Sequence, residues 1–214
     1  MPQSNASTLT AKPLQQFLDE LASAEPVPGG GSVAALSGVL AAALLAMVCR
    51  LTIGKKGYES VNADMQELLA RAEPVQIELR ELMQADIAAY TRVMDAYKLP
   101  KATDAGKQAR ANTIQDALKH ASDVPLRVAE LCSELIELAR PIASHGNKNA
   151  ASDAGVGALM AEAGLRGAAL NVTTNLVSIN DQAFVSTRRA RVAQLVASAG
   201  KAQEEILSIV EGRM

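Results

Sequence analysis

A carboxyl group lies on the apolar side of a long predicted helix. Asp86 comes three residues after Met83 and four before Tyr90, and side chains at these spacings share one face of a helix. An unpaired carboxylate is costly to bury, so Asp86 must be paired, protonated or directed into a polar cavity. Two interpretations stay open. Asp86 is either a structural residue satisfied by Ser, Asn or backbone groups, or an acid–base group with a raised pKa.

A second candidate is a glycine-rich segment that leads into a charge-free helix. The stretch from Pro26 to Cys49 contains no charged residue, and its loop carries three consecutive glycines, Gly29, Gly30 and Gly31. We expect Ser32 to be the N-cap of a helix that ends near Gly54. Because glycines have no side chain, a ligand could approach the N–H groups at this helix N-terminus.

This glycine-rich segment has three possible interpretations: a nucleotide-binding loop, a membrane-spanning helix or a core helix. A dinucleotide site needs a preceding β-strand and a P-loop needs a following lysine, and the sequence has neither. The run is long enough to span a membrane, but most of it is alanine, which contributes little to insertion. We favour a central helix of a bundle, apolar on all sides and packed closely through its small residues.

A polar stripe follows later in the chain on an otherwise apolar helix. Asn171, Asn175 and Ser178 are spaced i, i+4 and i+7, and Asp181 comes three residues further. One such residue could serve a hydrogen bond between helices. Several in register predict the wall of a polar cavity.

Two polar loops supply the remaining candidates for substrate binding. The segment GKKGYES carries Lys55 and Lys56, which are either a solvated turn or a pair of ammonium groups at the mouth of a cleft. The segment SHGNKNAASD contains Asn147, and we expect Ser152 with Asp153 to cap the helix that follows. Asn147, Ser152 and Asp153 are therefore further candidate binding residues.

The elements that position these residues are predicted to be helices. Hydrophobic residues make up 49% of the 214-residue chain, aromatic residues only 2%, and Trp is absent, which is typical of helical bundles. Periodicity predicts a short helix with Leu14 to Leu21 on its apolar stripe, long helices over about residues 62–97, 105–143 and 181–211, and a further helix after Asp153, in addition to the charge-free one. The expected fold is all-α, a multihelical bundle of long, interrupted antiparallel helices. We expect residues 1–8 to be a disordered tail and residues 9–214 a single domain.

Composition also limits the partners. The net charge of −2 gives no basic field for nucleic acid or a membrane surface. Cys49 and Cys132 lie on apolar stripes and are predicted to be reduced core thiols, which with the absence of a signal-peptide pattern favours the cytoplasm. His120 and His145 have no second ligand at metal-binding spacing, so no metal site is expected.

The order of motifs resembles a known family. PVPGGGSVAALSG, GKKGY, ADIAAYTRVMDAYKLPK, DVPLRVAE, GNKNAASDAGVGA and GAALNVTTNLVSINDQAF follow one another between about residues 10 and 210. This series is similar to the cyclodeaminase family, which comprises the C-terminal domain of formiminotransferase-cyclodeaminase and stand-alone methenyltetrahydrofolate cyclohydrolases. The resemblance implies an all-helical homodimer with a tetrahydrofolate derivative as substrate and no covalently bound cofactor. The family's catalytic aspartate falls on Asp86.

The resemblance implies one of two reactions. The first expectation is a cyclodeaminase that converts 5-formiminotetrahydrofolate into 5,10-methenyltetrahydrofolate and ammonia. The alternative is a cyclohydrolase that adds water to the methenyl bridge and gives 10-formyltetrahydrofolate. A non-catalytic folate-binding or scaffolding protein is a second alternative.

For substrate binding we expect three sets of contacts, all argued from position and chemistry. The backbone N–H groups from Gly30 to Ser32 would contact the folate or its glutamyl carboxylates. Lys55 and Lys56 would attract the carboxylate tail. The pterin ring would be hydrogen-bonded by the polar stripe, through Asn171, Asn175 and Asp181.

Overall fold

The computed structural model describes residues 9–214, which form six α-helices and three short 3-10 turns. The predicted all-α fold is confirmed, whereas the predicted tail of residues 1–8 lies outside the described residues. The helices are α1 (Leu14–Leu21), α2 (Gly30–Arg50), α3 (Asn62–Lys98), α4 (Asp104–His145), α5 (Ala151–Leu176) and α6 (Gln182–Glu211). The predicted breaks after α3 and α4 are present, and α3 and α4 each continue as one helix through their internal prolines.

The charge-free helix α2 is the centre of the bundle, because it packs against α3, α4 and α5. By length and composition it is the one helix within residues 9–214 that could cross a membrane. The other helices, however, bury 61% of its most apolar window. Such burial is typical of a core helix.

Glycines allow the helices around α2 to approach closely. A Cβ on Gly38 would lie 2.9 Å from the Sγ of Cys132 in α4, and a Cβ on Gly164 would lie 2.8 Å from the carbonyl oxygen of Ala34. Neither site has room for a side chain without displacing a neighbour. The low aromatic content of the sequence therefore matches a core built at short interhelical distances.

Helices α2 and α5 run antiparallel. Along α5, Gly157 faces Leu45, Gly164 faces Ala34, and Asn171 faces Gly30. Residue numbers therefore rise along α5 as they fall along α2. This direction brings the last turns of α5 beside the first turn of α2.

The two predicted side-chain N-caps are wrong. Helix α2 starts at Gly30 with the extended residue Gly29 at its N-cap, and Ser32 lies inside the first turn. The Ser32 hydroxyl is not free to cap, because it donates to the carbonyl oxygen of Met83 at 3.1 Å. Helix α5 starts at Ala151, so Ser152 and Asp153 lie in its first turn and do not cap it.

In the turn before α5, the side chain of Asn147 takes the capping role instead. Its Oδ1 accepts a hydrogen bond from the backbone N–H of Asn149 at 3.1 Å. Asn147 is itself buried and held by neighbouring backbone and side-chain groups. The loop therefore reaches α5 already ordered, and no cap from Ser152 or Asp153 is needed.

The two cysteines are buried free thiols, as predicted. Burial raises the pKa of the Cys49 thiol to about 11 and that of Cys132 to about 12. A thiol with so high a pKa forms little thiolate at neutral pH and is a poor nucleophile. Both cysteines therefore act as small core residues.

We predict that Gly164→Ala lowers the free energy of unfolding by about 1–3 kcal/mol, the usual cost of overpacking a tight core. The added methyl group would meet the Ala34 carbonyl, which is backbone and cannot rotate away. The control is Gly200→Ala in α6, whose Cβ would meet only the end of the Arg166 side chain. Urea denaturation should show the control to be neutral or stabilised, and equal midpoints for both variants would contradict the packing argument.

Candidate functional site

Asp86 projects from α3 against the first turn of α2. A Cβ added to Gly31 would overlap the Asp86 carboxyl group, so the carboxyl group occupies the space that a side chain at position 31 would fill. Only glycine at position 31 permits this contact. The glycine loop and the aspartate on the apolar helix face, found separately in the sequence, are thus one structural unit.

Ser32 holds the carboxyl group of Asp86 in place. Its hydroxyl, which is fully buried, lies 3.4 Å from Asp86 Oδ2 and also bonds the Met83 carbonyl one turn earlier on α3. The backbone N–H of Ser32 hydrogen-bonds to Asp86 as well. The residue predicted to cap α2 therefore positions the candidate catalytic group.

The environment of Asp86 opposes its ionisation. Burial raises the pKa of Asp86 above its ordinary value of 3.8, and the hydrogen bonds from the Ser32 side chain and backbone lower it by a smaller amount. A carboxyl group with a raised pKa gives up and takes back a proton closer to neutral pH, as general acid–base catalysis requires.

A cavity of about 280 Å³ opens beside Asp86. One side is the glycine loop, the opposite side is formed by α3 and α4, and the third side is the end of α5. The lining residues are Pro26, Val27, Gly29, Gly30, Gly31, Asp86, Ala89, Tyr90, Val93, Leu118, Ala121, Asn171 and Asn175. Small-molecule pockets usually measure about 300–1,000 Å³, so this one fits a compact ring system.

The polar wall of the cavity consists of two asparagines. The amide nitrogen of Asn171 donates to the Gly167 carbonyl at 2.9 Å, and that of Asn175 donates to the Ala121 carbonyl at 2.6 Å. With the nitrogens engaged, the two amide oxygens are the groups that can accept hydrogen bonds from a ligand. This wall was predicted from the i, i+4 spacing.

Sequence reasoning missed the apolar wall of the cavity. Tyr90 is one helical turn beyond Asp86 on α3, and Val93, Leu118 and Ala121 lie beside it. The signal was present in the sequence, because Tyr90 belongs to the same helix face as Asp86. Such residues give a flat ring a surface on which to stack.

Five of the predicted binding residues do not reach this cavity. Lys55, Lys56, Asn147, Ser152 and Asp153 gather at the opposite end of α2, where Lys55 Nζ donates to Asn147 Oδ1 at 3.2 Å. A helix of 21 residues is about 32 Å long. Within one chain these residues are therefore too distant to share a small ligand with Asp86.

Asp181 also lies outside the cavity lining. Its side chain accepts a hydrogen bond from the backbone N–H of Phe184 and caps α6, and its Oδ2 pairs with Lys119 Nζ at 2.8 Å. These two contacts lower the pKa of Asp181. Asp181 therefore follows Ser178 in the sequence because it is the N-cap of α6, and it does not belong to the polar wall of the cavity.

A larger groove, about 610 Å³, lies elsewhere along α3, between Gln84 and Leu99. Its walls are mostly apolar, and its carboxylate, Asp95, is exposed and paired with Lys98 at 2.9 Å. It lacks the buried carboxyl group and the convergent amides of the smaller cavity. We therefore take the Asp86 cavity as the candidate active site.

Comparison with known proteins agrees with this arrangement. Residues 13–194 match the sequence model of the family described as formiminotransferase-cyclodeaminase. The methenyltetrahydrofolate cyclohydrolase of Methylorubrum extorquens is 48% identical over 94% of this chain and 97% of its own length. The formimidoyltransferase-cyclodeaminase of Sus scrofa is 35% identical over 96% of this chain, which spans 38% of that protein.

A solved structure has the same fold. The formiminotetrahydrofolate cyclodeaminase of Thermotoga maritima superposes with a TM-score of 0.86 at 31% identity, covering 95% of this chain and 98% of that one. The resemblance drawn from the order of sequence motifs is thereby confirmed. The chain belongs to the formiminotransferase-cyclodeaminase family, in the part of it that corresponds to the cyclodeaminase.

Proposed function

We propose that the protein is an enzyme that acts on the one-carbon unit carried between N5 and N10 of tetrahydrofolate, with Asp86 as its acid–base group. The observation that carries this proposal is the Asp86 carboxyl group, which lies in a small cavity against the start of α2 and has a raised pKa. Both reactions of the family move one proton on and off nitrogen or water, and a single carboxyl group can do this.

Between the two reactions, we favour methenyltetrahydrofolate cyclohydrolase. The relative of that name is 48% identical along nearly its whole length, whereas the Sus scrofa formimidoyltransferase-cyclodeaminase is 35% identical. Cyclodeaminase, the first expectation from the sequence, is the second candidate. It is favoured by the structural similarity to the Thermotoga maritima protein, whose chain is also covered almost entirely.

In the cyclohydrolase reaction, Asp86 begins as a carboxylate. It takes a proton from a water molecule as the water oxygen bonds to the methenyl carbon, which gives a tetrahedral carbon bound to N5, N10 and OH. The bond from this carbon to N5 then breaks, and Asp86 returns the proton to N5. The product is 10-formyltetrahydrofolate, and the hydroxyl proton is released as the carbonyl forms.

In the cyclodeaminase reaction, N10 takes the place of water. It bonds to the carbon of the protonated formimino group while Asp86 accepts the N10 proton. Asp86 then gives this proton to the amino group on the tetrahedral carbon. That carbon–nitrogen bond breaks, ammonia leaves, and 5,10-methenyltetrahydrofolate remains.

The cavity walls suit the pterin ring of such a substrate. A pterin has ring and exocyclic N–H donors, which match the amide oxygens of Asn171 and Asn175. Its flat face matches the apolar wall at Tyr90. The N–H groups at the start of α2 attract negative charge, although they sit closest to Asp86 itself.

We also propose a single-domain homodimer in the cytoplasm. One main hydrophobic cluster extends from Leu9 to Val210, which supports a single domain. The two unpaired thiols suit a reducing compartment. The family resemblance supports the dimer.

Absorbance spectroscopy tests the proposed function. The protein is mixed with 5,10-methenyltetrahydrofolate and, separately, with 5-formiminotetrahydrofolate, while the near-ultraviolet band of the methenyl compound is followed. Loss of the band in the first cuvette identifies a cyclohydrolase, and its appearance in the second identifies a cyclodeaminase. If both signals stay flat while folate binds, the protein is a binding or scaffolding protein and the proposal fails.

We predict that Asp86→Asn lowers turnover by about 10²–10⁴-fold, because general acid–base catalysis contributes that much. Folate binding should persist, since the amide is isosteric with the carboxyl group. The control is Asp95→Asn, on the same helix but exposed and paired with Lys98, and its turnover should match the wild type. Steady-state kinetics with a parallel binding assay would separate the two effects, and full turnover by Asp86→Asn would remove the mechanism.

A second prediction concerns the glycine that faces the carboxyl group. Gly31→Ala should reduce kcat by about 10²-fold, because the new methyl group must push the carboxyl group out of position. Gly30→Ala should cost less, since its Cβ would lie 3.6 Å from the nearest atom, the Asn171 amide nitrogen. If the two variants lose activity equally, contact with Asp86 is not the reason that position 31 is glycine.

The raised pKa of Asp86 also predicts how stability depends on pH. The folded protein holds this proton more tightly than the unfolded chain does. The stabilisation is therefore complete below about pH 3.8 and is lost as the pH rises through the folded pKa. Asp86→Asn cannot ionise, so relative to the wild type it should gain stability as the pH rises from 3.8 to 7.

Urea denaturation across this pH range measures the effect. The readout is the change with pH of the difference between variant and wild type, because a lost Ser32 hydrogen bond would add only a constant offset. The exposed Asp95→Asn serves again as the control. A difference for Asp86→Asn that is constant from pH 4 to 7 would contradict the raised pKa.

A further inference from the structure

The Asp86 cavity is too small for a whole folate. Its volume of about 280 Å³ suits the fused ring system, but not the aminobenzoyl ring and the glutamate that extend from N10. These groups leave the cavity and lie on the surface beside it. The glutamate carries two carboxylates, which bind best to a cationic side chain with free N–H donors. A complete site therefore needs a path for an aromatic ring with a cation at its far end.

Two helix faces lead away from the cavity in the same direction. On α3, Tyr90 and Tyr97 follow Asp86 at i+4 and i+11 and share its face of the helix. On α4, Arg110 lies eight residues before the cavity residue Leu118, on the same side of that helix. The two faces meet where Arg110 Nη2 donates to the carbonyl oxygen of Tyr97 at 2.9 Å. We call the surface from Tyr90 and Leu118 to Tyr97 and Arg110 the exit strip.

The exit strip is apolar between its two ends. Val93, Ile114 and Leu118 pack together in one hydrophobic cluster of α3 and α4. The rings of Tyr90 and Tyr97 are 37% and 44% exposed, so both are accessible to a ligand. An aromatic ring that leaves the cavity along this strip stays in contact with apolar and aromatic side chains.

The length of the exit strip matches the tail of a folate. Eight residues of helix separate Leu118 from Arg110, which is a rise of about 12 Å. An aminobenzoyl ring with one glutamate is about as long as three extended residues, or about 10 Å. A ring that starts at the cavity edge therefore places its glutamate carboxylates within reach of the Arg110 side chain.

Arg110 is held in place and keeps donors for an anion. Its guanidinium is half-buried, and within residues 9–214 no carboxylate forms a salt bridge with it. Nε and Nη2 donate to the Tyr97 carbonyl, and the ring of Tyr97 lies 5.7 Å from the guanidinium carbon. These contacts leave most of the five N–H donors unused. Lys107, three residues earlier on α4, is by contrast paired with Asp104.

We propose that the exit strip binds the tail of the folate substrate. The aminobenzoyl ring lies on the apolar surface between Tyr90 and Tyr97, and Arg110 binds a glutamate carboxylate. Arginine suits this role because its planar guanidinium can hold a carboxylate through two N–H groups. The identity of the ligand rests on the proposed function. Arg110 lies far from Asp86 and the reacting carbon, so it contributes to substrate binding and selection and leaves the chemical step unchanged.

Masking the carboxylates tests this site without any substitution. The dimethyl ester of the glutamate keeps both ring systems of the folate and removes both negative charges. We expect the KM of the wild type for the ester to be about tenfold above that for the free acid, the effect of one lost charge-assisted hydrogen bond. The value of kcat should be the same for both compounds. Equal KM values for acid and ester would overturn the proposal.

Arg110→Gln identifies the cation that reads the carboxylates. This variant should have one KM for acid and ester, about tenfold above that of the wild type for the acid. The control is Arg92→Gln, on the side of α3 that lines the larger groove, and it should keep the wild-type difference. If Arg110 only caps the end of α3, Arg110→Gln loses stability but keeps the wild-type ratio of the two KM values, and the proposal is wrong.

A binding measurement separates this site from the proposed function. The probe is 5-formyltetrahydrofolate, in which oxygen replaces the imino nitrogen of the formimino group. Calorimetry should give a Kd for Arg110→Gln about tenfold above that of the wild type. This result without turnover of either folate would refute the proposed function and leave the tail site standing. Turnover by the wild type with a Kd that Arg110→Gln leaves unchanged would refute the tail site alone.

Discussion

The carboxyl group of Asp86 lies where a side chain on residue 31 would otherwise be. This contact between α3 and the first turn of α2 requires glycine at position 31, and it explains why an aspartate lies on an otherwise apolar helix face. Ser32 completes the arrangement by tying the same turn to both Met83 and Asp86. The site thus depends on the short distance between the backbones of α2 and α3, with the Asp86 carboxyl group held between them.

The packing of the bundle maintains the short distance between α2 and α3 at the site. Gly38 and Gly164 let α2, α4 and α5 meet around Cys132 with no space for larger side chains. Because α5 runs antiparallel to α2, the same packing carries Asn171 and Asn175 to the cavity. Core residues far from the chemistry therefore determine the distance between the polar wall and Asp86.

Much of this could be predicted from the sequence, for identifiable reasons. Asp86 stands out because a charge breaks an apolar period, and the two asparagines stand out because amides repeat at helical spacing. Both signals are local. Tyr90 was placed on the correct face but was not assigned to the site, because an aromatic residue on an apolar face is usually part of a core.

Non-local features could not be predicted. Ser32 reads as an N-cap when its neighbours in sequence are considered, but its hydroxyl is taken by a carbonyl group 51 residues away. Lys55 and Lys56 were grouped with Asp86 because the sequence places them after the C-terminal end of α2 but does not show which end of α2 Asp86 contacts. The contact between Gly31 and Asp86 places the carboxyl group at the N-terminal end of α2, so the two lysines lie at the opposite end of this helix.

The most direct test of the account is the pH dependence of kcat/KM for the wild type and for Ser32→Ala. The Ser32 side chain lowers the pKa of Asp86, so its removal should raise that pKa. The acidic limb of the profile, where Asp86 becomes protonated and inactive, should then move to higher pH. If the limb stays in place while Ser32→Ala remains folded, the group that titrates is not Asp86 and the central claim is wrong.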